Sequence, residues 1–207
     1  MTKLQPMSGN IYLVEDNDEV RTHLVKVLRH YGFQVEAFVD AAAFIRQAHY
    51  VAPAVIVSDM VMPGQSGLDL LAHIRKAGWA CPIVFISGLS QPHQIIEAMK
   101  QGAADFLWKP FTTDSLLAAI NSALLQETTR RAADQKRLEA QQRHASLTDR
   151  EREICMLAIG GYGNNEISQI IDVQPDTVKK HRARVMEKMG AANLSELIAL
   201  FKAMKAA

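Results

Sequence analysis

The chain is short of several things, and each shortage excludes something. No apolar run in its 207 residues approaches the ~18 that a membrane-spanning helix needs, so no helical span is expected. The first ten residues lack the basic start and apolar stretch of a secretory leader. Cysteine is scarce. Cys81 and Cys155 make neither a disulfide framework nor a metal-binding spacing, and the cytoplasm is the expected compartment. No phosphate-binding glycine loop, Gly-x-Gly-x-x-Gly or His-Glu-x-x-His pattern occurs, so the common enzyme classes built on them lack support. Between Phe111 and Ile159 there is neither glycine nor proline. Charge of one sign is lacking too, with 23 Lys and Arg against 22 Asp and Glu.

What is present is ordinary soluble material: 48% hydrophobic and 22% charged residues, enough for one or two cores. The charge is unevenly shared. Residues 1–125 hold nine basic and eleven acidic side chains, whereas residues 126–207 hold fourteen and eleven. The basic excess hints at an anionic partner for the C-terminal part.

Residues 10–110 alternate between two textures. Apolar runs of strand length occur at 11–14, 35–38, 54–58, 82–87 and 105–108, with amphipathic stretches near 19–31, 41–48, 67–77 and 91–101 and a fifth at 113–125. Five strand–helix repeats with fully apolar strands predict a mostly parallel sheet covered on both faces. Gly32, Gly78 and Gly102 stand where helices should end. The stretch 127–145 is compatible with helix, but its core register decays through Leu117, Leu124, Arg131 and Leu138, and through Ile120, Glu127, Asp134 and Gln141. That is too polar for a sustained coiled coil. A solvated helical linker continuing from the last receiver helix is the expectation, and a signalling coiled coil the alternative.

From Ser146 the pattern becomes four short helices. Thr148 and Glu151 form a capping box. A Gly160–Gly163 break follows, and Asn164 or Asn165 is expected to cap a short helix running to Ile171. Asp172-Val173-Gln174 turns the chain into a helix that begins at Pro175 and stops at Gly190. Asn193 and Glu196 form a second capping box. Four helices with tight turns make a helix-turn-helix arrangement.

Two groups of residues carry chemistry. The first lies at strand ends, where ligands of open parallel sheets bind. Glu15-Asp16 follows the first strand, Asp59 the third, Ser87-Gly88 the fourth and Lys109-Pro110 the fifth. Singly, acids at strand ends are ordinary helix caps; all four in this order are hard to obtain by accident. Carboxylates gathered together repel unless a cation joins them, and a hard divalent ion such as magnesium suits them. Asp59 is then a candidate nucleophile forming an acyl phosphate. Lys109 would neutralise the transferred charge and Ser87 would hydrogen-bond a phosphoryl oxygen.

The second group is the helix 175–189. Val178, Val185 and Met189 form its buried stripe, and Asp176, Lys179, Lys180, Ala183 and Arg184 face the other way. Its five basic and two acidic residues suit the major groove, with lysines reaching base edges and arginines phosphates. Alone, such a helix reads as a solvated basic face. The short helix and tight turn before it favour a recognition helix. His181 reads equally well as a packed core histidine.

Residues 9–125 resemble the receiver domain of bacterial two-component response regulators. The resemblance rests on Glu15-Asp16, Asp59 through Gly64, Ser66-Gly67, Ser87-Gly88, Gly102 through Leu107 and Lys109-Pro110. It implies a flavodoxin-like, doubly wound α/β fold with Asp59 as phosphoacceptor. Magnesium would be bound by Glu15, Asp16, Asp59 and the Val61 carbonyl. Ser87 and Lys109 would be the switch hydroxyl and the phosphate-contacting lysine, and Phe106 the rotating switch aromatic, although composition alone would make Phe106 plain core. The acidic pair is Glu-Asp rather than Asp-Asp, a longer arm that should still bind metal.

Residues 146–205 resemble the LuxR-type, GerE-like DNA-binding domain through Leu147-Thr148, Arg150 through Glu153, Gly161, Asn164 through Ile167, Thr177-Val178-Lys179, His181-Arg182, Met186, Lys188-Met189-Gly190, Asn193 and Glu196-Leu197. The pair looks most like the FixJ subfamily. The expected organisation is a receiver at 9–125, a linker at 126–145 and a helix-turn-helix domain at 146–207. Thr177, Lys179, Lys180, Arg182, Ala183 and Arg184 are the expected DNA contacts. By resemblance the partners are a sensor histidine kinase, a two-fold promoter site on double-stranded DNA, a second copy paired through the surface near 91–108, and RNA polymerase, with transcriptional activation as the outcome and no membrane. Two rivals stand beside this reading. A hydrolase working through an aspartyl phosphate needs a second acid two residues after the nucleophile, where this chain has Val61, so the protein is not expected to be an enzyme beyond its own slow phosphoryl exchange. A constitutive DNA-binding protein with a silent receiver would bind DNA unchanged by Asp59→Ala.

Overall fold

A computed structural model of the chain describes residues 9–205. They fall into two compact units divided between Arg130 and Arg131. In the first, the apolar runs become strands: β1 (Asn10–Val14), β2 (Gln34–Phe38), β3 (Ala54–Asp59), β4 (Ile83–Ser87) and β5 (Asp105–Trp108). The helices α1 (Asp18–His30), α2 (Ala41–Gln47), α3 (Gly67–Lys76), α4 (Pro92–Lys100) and α5 (Thr113–Ala145) alternate with them. The strands pair in parallel in the order β2-β1-β3-β4-β5. This is the flavodoxin-like doubly wound order.

Each face of the sheet has its own core. Phe44, Leu70, Leu71 and Ile74 from α2 and α3, with Ala98 of α4, cover Tyr12, Ile56, Ile83 and Phe85. Leu24 and Leu28 of α1 with Leu116, Ile120 and Leu124 of α5 cover Leu13, Val57, Val84 and Ile86. Burial on both faces is why β3 and β4 read as unbroken apolar runs rather than as alternating ones. Each such side chain contributes roughly 1.5–3 kcal/mol. Gly32, Gly78 and Gly102 follow α1, α3 and α4 with positive φ, as their positions predict. Cys81 lies buried in this unit with its thiol pushed up to about 12, mainly by burial.

α5 is one continuous helix of 33 residues. It runs on past residue 125 into the linker, as expected, because no glycine or proline in 111–159 breaks it. Its second half is not solvated throughout, since Glu127 and Ala140 are buried.

In the second unit follow α6 (Asp149–Ile159), α7 (Asn164–Ile170), α8 (Pro175–Met189) and α9 (Leu194–Lys205). Thr148 and Glu151 form the expected capping box. Glu151 also receives Lys188 Nζ at 2.6 Å, tying α6 to α8. Gly190 ends α8 with φ of 67°, and Arg143 donates to the Met189 carbonyl there. Ile154, Ala158, Ile167, Ile171 and Val178 form one small core, and Leu147, Cys155, Val185, Met189 and Leu197 a second. One expectation is corrected. α7 is capped at Gly163, whose amide donates to Glu166 Oε2 at 2.7 Å, and Asn164 is already helical. The Asn164 side chain is engaged elsewhere, with Arg182. No helix among the described residues is long and apolar enough to cross a membrane.

Candidate functional sites

The parallel register brings the strand-end polar residues to one rim of the sheet. Val14 lies beside Ser58, Asp59 beside Ile86, and Ser87 beside Trp108. Asp59 closes β3, Ser87 closes β4, and Glu15 and Lys109 are the residues just after β1 and β5.

Glu15, Asp16 and Asp59 each offer a carboxylate oxygen, all within 4.8 Å of one another. Glu15 is only 1% exposed and Asp59 is also buried, while Asp16 faces solvent. The Lys109 ammonium sits between the buried pair, 2.7 Å from Glu15 Oε2 and 2.6 Å from Asp59 Oδ2. Burial works against its charge, but Asp59 and Glu15 outweigh burial and hold Lys109 above its ordinary pKa. For Glu15 burial wins: its carboxyl stays above the usual range although Lys109 opposes this. The other oxygens are held by backbone amides, with Asn17 donating to Glu15 Oε1 and Val61 to Asp59 Oδ1 at 2.9 Å. The donors are hard carboxylate oxygens, with no thiolate or imidazole in the group. This set suits a hard divalent cation such as magnesium rather than a soft metal.

Two further residues of the rim are placed differently. Ser87 is 1% exposed, and its Oγ accepts a long bond from the Leu89 amide at 3.4 Å. Phe106 is half-buried against the core on the α2–α4 side and meets Trp108 edge-on at 5.1 Å. Val61 is partly exposed, with its amide committed to Asp59.

Of two supporting residues, Gly67 enters the sequence reading only as part of the receiver resemblance, and Arg21 does not enter it at all. Arg21, on the first turn of α1, donates to the Glu15 carbonyl at 2.8 Å and so fixes the loop that carries both acids. Gly67 lies so close to the end of β3 that a Cβ there would stand 2.8 Å from the Asp59 carbonyl, 3.0 Å from Met60 Cα and 2.7 Å from the Phe85 ring. Arg21 left no signal beyond its place one turn after the acids.

In the second unit α8 buries Val178, Val185 and Met189, as its periodicity predicts. Lys179, Lys180, Ala183 and Arg184 are exposed on the other side, and Thr177 is half-buried beside them. Arg182 is set apart from this group. Its guanidinium donates to Asn164 Oδ1 at 2.9 Å and to the Tyr162 carbonyl at 3.3 Å, joining α8 to the start of α7. An open groove of about 840 Å³ runs between these helices, lined by Gly163, Asn164, Asn165, Glu166, Lys179 and Arg182.

Known proteins share both halves of this arrangement. Residues 11–121 match the response regulator receiver domain, and residues 145–201 match the luxR family of bacterial regulatory proteins. The transcriptional regulatory protein FixJ of Bradyrhizobium diazoefficiens is 38% identical over 192 residues, 93% of this chain and 94% of the relative. Among solved structures, the response regulator StyR superposes with a TM-score of 0.83 at 35% identity, covering 93% of this chain and 98% of that one. Full-length FixJ from B. japonicum gives 0.60 at 37% identity, covering 95% and 97%. The chain therefore belongs to the FixJ subfamily of two-component response regulators, in which a receiver domain is joined to a LuxR-type DNA-binding domain.

Proposed function

We propose that Asp59 is the phosphoacceptor of this regulator, with a sensor histidine kinase as donor. The observation that carries the reading is the position of Asp59. It ends β3 as one of three clustered carboxylates, with the Lys109 ammonium 2.6 Å away. In the transfer an Asp59 oxygen attacks the phosphorus of a phosphohistidine. A P–O bond forms, the P–N bond breaks, and the electron pair leaves with the imidazole nitrogen. The product is an acyl phosphate. Lys109 then turns from the carboxylate to a phosphoryl oxygen, and Ser87 donates its hydroxyl to another. Glu15, Asp16, Asp59 and the Val61 carbonyl are the residues that would hold magnesium, which when bound neutralises charge on the transferring phosphoryl group. Val61 supplies no acid or base two residues after Asp59, so release of phosphate is slow self-hydrolysis.

Drawing Ser87 and Lys109 toward the phosphoryl group pulls on the ends of β4 and β5. Phe106 lies on β5 and follows. The surface that α4 and β5 share changes, and a second copy pairs there. Two α8 helices then meet the two halves of a promoter site. Lys179, Lys180, Ala183 and Arg184 face the groove, Thr177 borders it, and Arg182 divides its donors between phosphate and the α7 tie. Residues 9–125 act as receiver, 126–145 as connector and 146–207 as DNA reader, working in the cytoplasm with RNA polymerase as the responding partner and activation as the outcome.

The deciding experiment is the intact mass of the protein after incubation with magnesium and acetyl phosphate. Wild type gains one phosphate and Asp59→Ala gains none. A gain in both, or in neither while both are folded, defeats the assignment.

A further inference from the structure

α5 leaves the first unit past a buried carboxylate. Glu127 is 2% exposed, although its neighbour two residues earlier, Leu125, is 57% exposed and the apolar stripe of the helix has ended. A buried carboxylate is costly unless it is paired and hydrogen-bonded. Glu127 is both. It accepts the phenolic hydrogen bond of Tyr50, 77 residues earlier in the chain, and the Arg130 guanidinium at 2.8 Å, one turn further along α5.

Tyr50 is itself held on three sides. Its ring stacks on Trp79, with centroids 5.4 Å apart. The backbone on either side of it is pinned by Tyr12, whose hydroxyl donates to the His49 carbonyl and accepts from the Val51 amide at 2.8 Å. Trp79 packs edge-on against Phe44 of the core. Two loops, one before β3 and one before β4, thus reach a residue of α5 at the end of the sheet opposite Asp59. The charge of Glu127 is felt there by Cys81, where it adds to burial in raising the thiol.

We infer that Tyr50 and Glu127 are positioning residues, a clamp that keeps α5 fastened to the receiver beyond the end of its apolar stripe, as far as Arg130. The clamp acts through α5 and touches neither phosphate nor DNA. The division of the chain into compact units between Arg130 and Arg131 agrees with it. Its consequence for signalling rests on the proposed phosphoryl control: a receiver whose connector is loose at its root transmits less of its change of state.

The test uses the full chain as wild type, Tyr50→Phe, Glu127→Ala and Glu127→Gln. Tyr50→Phe removes one oxygen and keeps the stack on Trp79. Amide hydrogen exchange across residues 126–131 should quicken about tenfold in Tyr50→Phe and at least as much in Glu127→Ala, with an intermediate effect in Glu127→Gln, whose side-chain carbonyl still accepts from Tyr50. Exchange over residues 113–124 should stay as in wild type, and trypsin should cut faster after Arg130 and Arg131. Unchanged exchange across 126–131 in Tyr50→Phe overturns the clamp. So does a gain spread evenly over the first unit, which reports general loosening. If Glu127→Ala fails to fold, Tyr50→Phe and Glu127→Gln decide. Mass gain from acetyl phosphate is read on the same samples. Its absence in wild type would sink the phosphoacceptor reading, while the exchange data would still judge the clamp.

Discussion

Lys109 stands where positive charge is needed, whether that charge is its own or a metal's. Its ammonium already bridges two of the three carboxylates a divalent ion would use. Lysine and such an ion would therefore compete. At an effective dielectric near 20 a unit charge 4 Å away is worth about 4 kcal/mol, and the partial exposure of Lys109 reduces this. Lys109→Met should raise magnesium affinity about tenfold by titration calorimetry, a figure set by that discounted estimate; unchanged affinity would show that the two charges share the pocket. A second residue sets an acid limit. Glu151 is held at about 2, by the Lys188 ammonium first and the Thr148 amide second. Its folded pKa is depressed, so its contribution is complete above its ordinary value of 4.5 and drains away as the pH falls toward 2. Acid unfolding of the second unit, followed by proton resonances of Phe201, should be steeper in wild type than in Glu151→Gln over that window.

At the scale of elements, the close approach of α3 to β3 is set by a missing side chain. Gly67→Ala would drive a methyl into the Asp59 carbonyl and Met60 Cα, which are backbone and cannot swing aside. The cost should be about 1–3 kcal/mol by denaturant titration, and the carboxylate of Asp59 would shift with its strand. The strands themselves were legible within a residue, because a sheet buried on both faces writes continuous apolar runs. The rim followed from them, since parallel register carries the four strand ends to one side. Local capping was less legible. Asn164 and Asn165 look like caps, yet the orphan amide at Gly163 is satisfied by Glu166 from inside the helix, and Asn164 is drawn to Arg182 by a contact across the motif. Glu127 misleads for the same reason. A register that reaches Glu127 reads as a core giving way to solvent, whereas its partner Tyr50 lies 77 residues off and leaves no local mark.

At the scale of the whole molecule, the two halves divide the electrostatic work. The basic excess lies beyond residue 125, so DNA affinity should fall steeply with salt, log affinity declining by roughly 0.9 for each phosphate neutralised per unit log salt. Lys180→Ala should lower that slope by about one if Lys180 meets phosphate; a change confined to sequence preference would instead assign it to a base. Fluorescence anisotropy across a salt series with selected promoter DNA separates the two. The same molecule has a second division, in what it keeps from solvent. Both of its thiols, Cys81 in one unit and Cys155 in the other, are buried, and burial raises the pKa of each. Neither has appreciable thiolate at neutral pH. Ellman's reagent should find no fast-reacting sulfur in the native protein, and oxidants that silence exposed-cysteine regulators should leave this one responsive. A cysteine introduced at any solvent-facing position would then be the molecule's sole handle for a fluorophore or spin label, so distances between chosen points could be followed during treatment with acetyl phosphate without first removing the natural ones.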